Sequence, residues 1–211
     1  MKINIGKQTE KLIDDFQQLR DQIADQWLED LRGFKIACSA GCHHCCALVV
    51  RCHFLEGLVI ARELLRTDDH VTLAAVADHA QVIEHFRNKL IMQAGDTLSP
   101  EDFTMLWMEQ WAEEQIFCPF LKEKHCSIYP LRPLTCRVHL AVDSRIPCMI
   151  PSNQVRVIDA TQPHRDGLAL AVQRNTAMGW EPLIIPAPIS VSVRWGQRYL
   201  LGEDIEEIKK Q

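Results

Sequence analysis

Eight cysteines fall in two blocks whose spacing points to metal chemistry. The first block reads "CSAGCHHCC", with Cys38-x3-Cys42-x2-Cys45-Cys46; the second runs Cys118-x7-Cys126-x9-Cys136-x11-Cys148. A thiolate is a soft ligand suited to zinc and to iron–sulfur clusters. Four thiols in nine residues are too many to be explained as small buried hydrophobes, and without a ligand such a knot is prone to deprotonation and oxidation. On a helix, a turn of about 100° per residue would bring Cys38, Cys42, Cys45 and Cys46 within an arc of about 100°. Gly41 permits a second geometry, a tight knuckle whose backbone N–H groups point at sulfur. Either arrangement converges the thiols.

The residue types leave zinc and iron–sulfur both open, with iron–sulfur favoured. A structural zinc site usually shows two CxxC-like pairs, and the second block has none. The side chains of the adjacent Cys45 and Cys46 are expected to diverge, which suits two atoms of a cluster, or two centres, better than one tetrahedral ion. Cys118-Pro119 matches the Cys-Pro of ferredoxin motifs. Eight thiols fill a site, so His43, His44, His125 and His139 are expected at the surface or beside the ligands rather than on the metal. Arg132 and Arg137 could offset thiolate charge by donating to sulfur or to loop carbonyls. Tyr129, Pro130 and Pro133 are expected to pack the loop. Glu56, beside the first block, reads as a helix-start carboxylate in preference to a catalytic acid or base.

The elements that must position these groups read mainly as helix. Leu12, Phe16, Leu19, Ile23, Trp27 and Leu31 recur every three or four residues over 8–31. The period resumes over 54–65 and again over 71–93, where Val76, Ile83 and Leu90 keep a seven-residue interval. Ser99 as N-cap and Pro100 at the first helical position open a further helix, and its stripe of Phe103, Trp107 and Trp111 is expected to pack in the core. From Cys118 to Pro151 the periodicity stops. That stretch is rich in proline and cysteine, and with no amphipathic pattern it is expected to depend on metal ligation for its order. A short strand is expected over 154–160 and a helix over 161–178. "ISVSVRW" alternates like a strand, yet it follows Pro188 and leads into a helix-like tail, so it is read as helix. The expected fold is mainly α, one helical domain spanning 1–211 with a metal-organised irregular segment. The ligating blocks lie at 38–46 and 118–148, with a helical insert at about 53–117.

Hydrophobic residues make up 47% of the 211-residue chain and charged residues 24%, enough for a packed core. The net charge of −5 and pI of about 6.0 argue against binding nucleic acid by general phosphate attraction. The first residues lack the apolar core of a signal peptide, and no apolar run approaches a bilayer span. A cytoplasmic protein off the membrane is expected. There thiols stay reduced, and the odd total of nine cysteines also opposes a disulfide framework.

"CSAGCHHCC", "CPFLKEKHCSIYPLRPLTCR" and the last cysteine in "VDSRIPC" resemble the bacterial CxxCxxCC proteins, often called YkgJ-type cysteine cluster proteins and described as proposed zinc or iron chelators. The first interval is three residues where the family name has two. The resemblance implies a mainly helical protein whose metal ligands fall on Cys38, Cys42, Cys45, Cys46, Cys118, Cys126, Cys136 and Cys148. Cys52 lies outside the pattern and reads as a core thiol. The flagellin lysine N-methylases are similar in carrying such a cluster and are associated with iron–sulfur binding. That similarity admits an iron–sulfur protein-modifying enzyme acting on a protein substrate, although the chain has no GxGxxG or P-loop pattern. A zinc-stapled module presenting a surface to a protein partner is the remaining alternative.

Overall fold

A computed structural model describes residues 5–39, 41–94, 99–143, 160–178 and 187–209. It is mainly α-helical. Helix α1 (Lys7–Asp30) opens the chain, followed by a 3-10 turn at His44–Ala47 and the two-residue strand β1 (Arg51–Cys52). Three long helices come next: α2 (Phe54–Arg66), α3 (His70–Ala94) and α4 (Pro100–Glu114). The hairpin β2 (Leu121–Lys122) and β3 (His125–Cys126) leads through a second 3-10 turn to the short α5 (Leu134–Val138). Helix α6 (Thr161–Ala177), strand β4 (Ala187–Pro188), helix α7 (Ile189–Leu200) and the short α8 (Ile205–Lys209) complete the described elements.

The apolar pattern explains which helix lies where. Residues Phe54 to Ala61 of α2 are buried without a break, as are Leu64 and Leu65. A helix apolar on every side must be surrounded, and α2 sits at the centre of the main core with Ile13 and Phe16 of α1 and Val193 of α7. Its closest neighbour is α7. A Cβ on Gly57 would stand 2.3 Å from the Ser192 carbonyl oxygen, and one on Gly196 would stand 2.8 Å from Leu58 Cα. The two backbones therefore touch where each helix has no side chain. Strands β1 and β4 pair antiparallel, Arg51 with Pro188 and Cys52 with Ala187. The Ile189 N–H donates to the Val50 carbonyl at 2.8 Å, and the Ser192 hydroxyl donates to the Cys52 carbonyl at 3.0 Å. Together these bonds dock the start of α7 against the segment that follows the first cysteine block.

On α3, Val76, Ile83 and Leu90 are all buried. Ser99 caps α4 as its sequence requires, its hydroxyl accepting from the Asp102 N–H at 3.1 Å. Ile83, Phe86, Leu90 and Trp111 form a separate core between α3 and α4, with Phe103 and Trp107 packed against it. "ISVSVRW" is helical within α7. Most of the expected strand at 154–160 lies outside the described residues.

Two expectations need correction. The buried stripe of α1 runs Thr9, Ile13, Phe16, Arg20 and Ala24, while Leu12, Leu19 and Ile23 are only partly buried at its edge. The stripe is centred on an arginine that hydropathy excludes from a core; Arg20 is 1% exposed and bonds Asp21 at 3.1 and 2.8 Å. The Pro-rich segment also has apolar anchors of its own. Phe120 and Ile128 enter the main core, and Leu134 and Val138 pack with Ala24 and Ala160. These anchors are spaced irregularly along the chain, so they leave no periodic signal.

Candidate metal centre

The first block is a knuckle followed by a 3-10 turn, not an α-helix. Gly41 takes φ +83°, a conformation that costs a residue with a Cβ and costs glycine little. The Cys42 N–H donates to the Ser39 carbonyl at 3.0 Å. Cys45 and Cys46 lie within the 3-10 turn His44–Ala47. Their side chains do not diverge: the Cys46 thiol donates a hydrogen bond to Cys45. This corrects the expectation from adjacency, because the tight turn brings neighbouring thiols round to each other.

The second block reaches the first through the backbone. The Cys118 N–H donates to the Cys46 carbonyl at 2.8 Å. From there the chain folds into the β2–β3 hairpin, in which Leu121 stands opposite Cys126. Its turn residues Glu123 and Lys124 take φ 48° and 66°, the two positive values that a two-residue hairpin turn of this type needs. The hairpin returns Cys126 towards Cys118. A further tie joins the start of the first block to the end of α5. Ile36 bridges Val142, the Ala37 N–H donates to the Ala141 carbonyl at 2.9 Å, and the Ala141 N–H donates to Cys38 Sγ at 3.3 Å.

These ties gather seven of the eight predicted ligands into one neighbourhood. A negative charge on Cys45 disfavours ionisation of Cys38, Cys46, Cys118, Cys126 and Cys136, and Cys42 acts likewise on Cys38. All seven are half-buried as residues. Burial is the main cause that raises the pKa of Cys38, Cys126 and Cys136, and it pushes Cys118 up to about 12. Cys46 is raised because it gives its hydrogen bond to Cys45, and Cys45 is lowered by receiving it. The eighth, Cys148, lies outside the described residues. Cys52 is separate: it is buried in the main core, where burial raises its thiol pKa well above the ordinary value.

Backbone N–H groups already point at sulfur. Phe120 donates to Cys118 and Ile128 donates to Cys126, each from two residues further on. Such bonds stabilise a thiolate and orient it towards a metal. Arg132 lies close enough for its charge to favour ionisation of Cys38, Cys45, Cys126 and Cys136. Its guanidinium stacks 3.7 Å from the centre of the half-exposed Tyr129 ring and donates to the Tyr129 carbonyl at 3.3 Å. Arg137 holds carbonyls instead, those of Arg132 at 3.0 Å and of Pro130, and pairs with Asp21 of α1 at 3.4 Å. His43 turns its Nδ1 to the Gly41 carbonyl and stacks on His44 at 5.0 Å. His125 turns Nδ1 to the Glu123 carbonyl at 2.9 Å. Burial lowers the pKa of His139.

The donor set fits a thiophilic metal: clustered sulfurs, N–H donors on them, and an arginine to balance their charge. Among the described residues, no three His, Cys, Asp or Glu side chains are closed tightly enough around one point to hold an ion.

Two residues that support the site exceed their sequence reading. Glu56 is 1% exposed. Its Oε2 accepts the His53 N–H at 3.0 Å and its Oε1 accepts the Leu134 N–H at 2.7 Å. It starts α2 as expected, and it also pins the helix that carries Cys136. The position three residues into a helix was the legible signal for the first role; nothing local signals the second. Trp111 packs in the core as expected, and its indole N–H donates to the Ala47 carbonyl at 3.1 Å.

Comparison with known proteins adds one match. Neither a curated protein nor a solved structure matches the chain. The model of the CxxCxxCC family, described as "putative zinc- or iron-chelating domain", matches residues 37–162. That span holds both cysteine blocks and more than half of the sequence, and the chain therefore belongs to the CxxCxxCC family.

Proposed function

We propose that this chain holds a multinuclear metal centre through Cys38, Cys42, Cys45, Cys46, Cys118, Cys126, Cys136 and Cys148, with an iron–sulfur cluster favoured over zinc. The observation that carries this reading is the junction of the two blocks. The bond from the Cys118 N–H to the Cys46 carbonyl places Cys118 and the Cys126 hairpin beside the vicinal pair, and Cys45 is electrostatically adjacent to five other thiols. One tetrahedral zinc takes four ligands, so this many gathered thiols suit a centre of more than one metal atom. Cys45 and Cys46 converge within one tight turn. Their convergence supports zinc as the second reading, with two neighbouring zinc ions sharing thiolates.

In either case the chain's part is to supply sulfur, to orient it with backbone N–H groups and to offset its charge with Arg132. Ligation displaces the thiol protons. An iron–sulfur centre, when bound, supplies electron transfer or a site for small-molecule activation. A reduced, cytoplasmic setting suits thiols that must stay free for metal. A catalytic role on a protein substrate and a role as a docking module for a protein partner both start from this centre.

The test is purification without oxygen, followed by a visible spectrum and a count of iron, zinc and acid-labile sulfide per chain. Iron and sulfide in equal amounts, with colour that bleaches on reduction, are expected. Colourless protein with two zinc ions per chain would select the second reading. Less than one metal atom per chain would remove both.

A further inference from the structure

Four carbonyls along the turn that carries Cys45 and Cys46 are engaged, two by the turn itself and two by distant parts of the chain. The Cys46 N–H takes the His43 carbonyl at 2.9 Å, and the Leu48 N–H takes that of Cys45 at 3.0 Å. The Cys46 carbonyl goes to Cys118 of the second block at 2.8 Å. The Ala47 carbonyl, the last of the turn, goes to Trp111 of α4 at 3.1 Å. The end of a short helix leaves carbonyls without internal partners, and the side chain that takes this one anchors the end of the turn to α4.

The indole that takes it is itself fixed. Trp111 is 2% exposed. Phe86 meets it edge-on at 5.1 Å, His79 edge-on at 6.0 Å, and Trp107 stacks at 6.3 Å with 15° between planes. Aromatic pairs at these separations favour offset or edge-to-face arrangements, so the rings of α3 and α4 define the direction of the N–H. A tryptophan present only to fill the core would be replaceable by another large ring. One present to aim the turn would not.

We propose that Trp111 is a positioning residue of the thiol centre: its indole N–H, held by the α3–α4 aromatic cluster, sets the turn that presents Cys45 and Cys46 to the second cysteine block. This inference rests on the metal-centre reading for its purpose, but the placement of the thiols can be measured without metal.

The experiment compares Trp111→Phe with Ile83→Val, which trims the same core by one methyl group and leaves the rings that hold the indole in place. A third protein carries benzothienylalanine at 111, which keeps the indole shape and lacks only the N–H. Two readouts are taken: alkylation rates of each cysteine in metal-free protein, and competitive binding of cobalt(II), whose thiolate charge-transfer bands report ligand geometry. Loss of the N–H in either 111 variant is expected to speed alkylation at Cys45 and Cys46, with Cys52 still protected, and to weaken cobalt binding about tenfold, the usual size of an outer-shell effect. Ile83→Val is expected to leave both within about twofold, inside the spread of one net hydrogen bond. Equal effects from all three proteins, or none from the benzothienyl protein, would overturn the proposal. If Trp111→Phe fails to fold, seen as a reactive Cys52, the benzothienyl protein alone decides. Wild-type protein that binds no cobalt would remove the metal-centre reading, while the alkylation pattern would still decide the role of Trp111.

Discussion

Replacing Glu56 by glutamine keeps its size and removes its charge and one of its two acceptor oxygens. In the structure those oxygens do separate jobs: Oε2 takes the His53 N–H at 3.0 Å and Oε1 takes the Leu134 N–H at 2.7 Å. A buried amide can satisfy one of these donors, and its NH2 then faces the other, donor to donor. One bond to a charged acceptor, worth about 1.5–3 kcal/mol, is lost, and one buried N–H is left without a partner. The expected cost of Glu56→Gln is about 2–4 kcal/mol, a large share of the roughly 5–15 kcal/mol that holds a typical domain folded. At about 2–4 °C per kcal/mol for a chain of this size, Tm should fall on the order of 10 °C. Thermal unfolding followed by circular dichroism gives the first number. Site-resolved alkylation gives the second, because freeing the Leu134 N–H should unfasten α5 and expose Cys136 before Cys45. Glu56→Ala, which strands both donors, should cost more than Glu56→Gln. A Tm within about 2 °C of wild type, with Cys136 as protected as before, would refute the reasoning. It would also return Glu56 to the pool of residues free for proton chemistry.

Gly57→Ala should be poorly tolerated, since the new methyl would lie 2.3 Å from the Ser192 carbonyl oxygen; separating α2 from α7 should cost about 1–3 kcal/mol, read as a fall in Tm. Cys52→Ala should leave metal content at the wild-type value, whereas Cys45→Ser should lower it, as elemental analysis of the two proteins will show. Chelation should leave the far-UV helical signal nearly unchanged, because Phe120, Ile128, Leu134 and Val138 hold the second block by apolar contact; collapse of that signal would show metal to be required for the fold itself. Acid should destabilise the protein through His79, His139 and His164, each depressed mainly by burial. The unfolded chain takes up their protons first, so their contribution is complete above about pH 6.5 and is lost as pH falls through the lower folded values. Tm measured between pH 8 and 5 should therefore drop on the acid side, and less steeply in His79→Gln.

Local pattern carried the fold well and the site in part. The helices at 54–66, 70–94 and 161–177 follow from apolar spacing, and the helix at 100–114 from its Ser99 cap. The cysteine spacing pointed to the proposed site, because packing as small hydrophobes does not explain four thiols in nine residues. Arg20 was illegible because its burial depends on Asp21 and on Arg137, which shares that carboxylate from more than a hundred residues away. The knuckle at Gly41 was one of two geometries the residues allowed, and only the packing of the second block against the first selects it. Trp111 and Glu56 were read correctly as core ring and helix-start acid. Their bonds to Ala47 and Leu134 join segments that no local window contains.

The docking of α7 against residues 50–52 has a consequence for how the protein is made. The Ser192 hydroxyl and the Cys52 carbonyl it reaches are 140 residues apart in the chain, and α2 cannot finish its core until α7 arrives. Synthesis delivers the amino-terminal part first, and contacts this distant in sequence form late and slowly. The vicinal thiols thus leave the ribosome well before the helix that anchors the segment next to them. During that interval they are open to oxidants and to whichever metal is most abundant. On the proposed reading of the site, metal that arrives before α7 would meet thiols without their final support, so the order of folding and loading becomes part of how the centre is made.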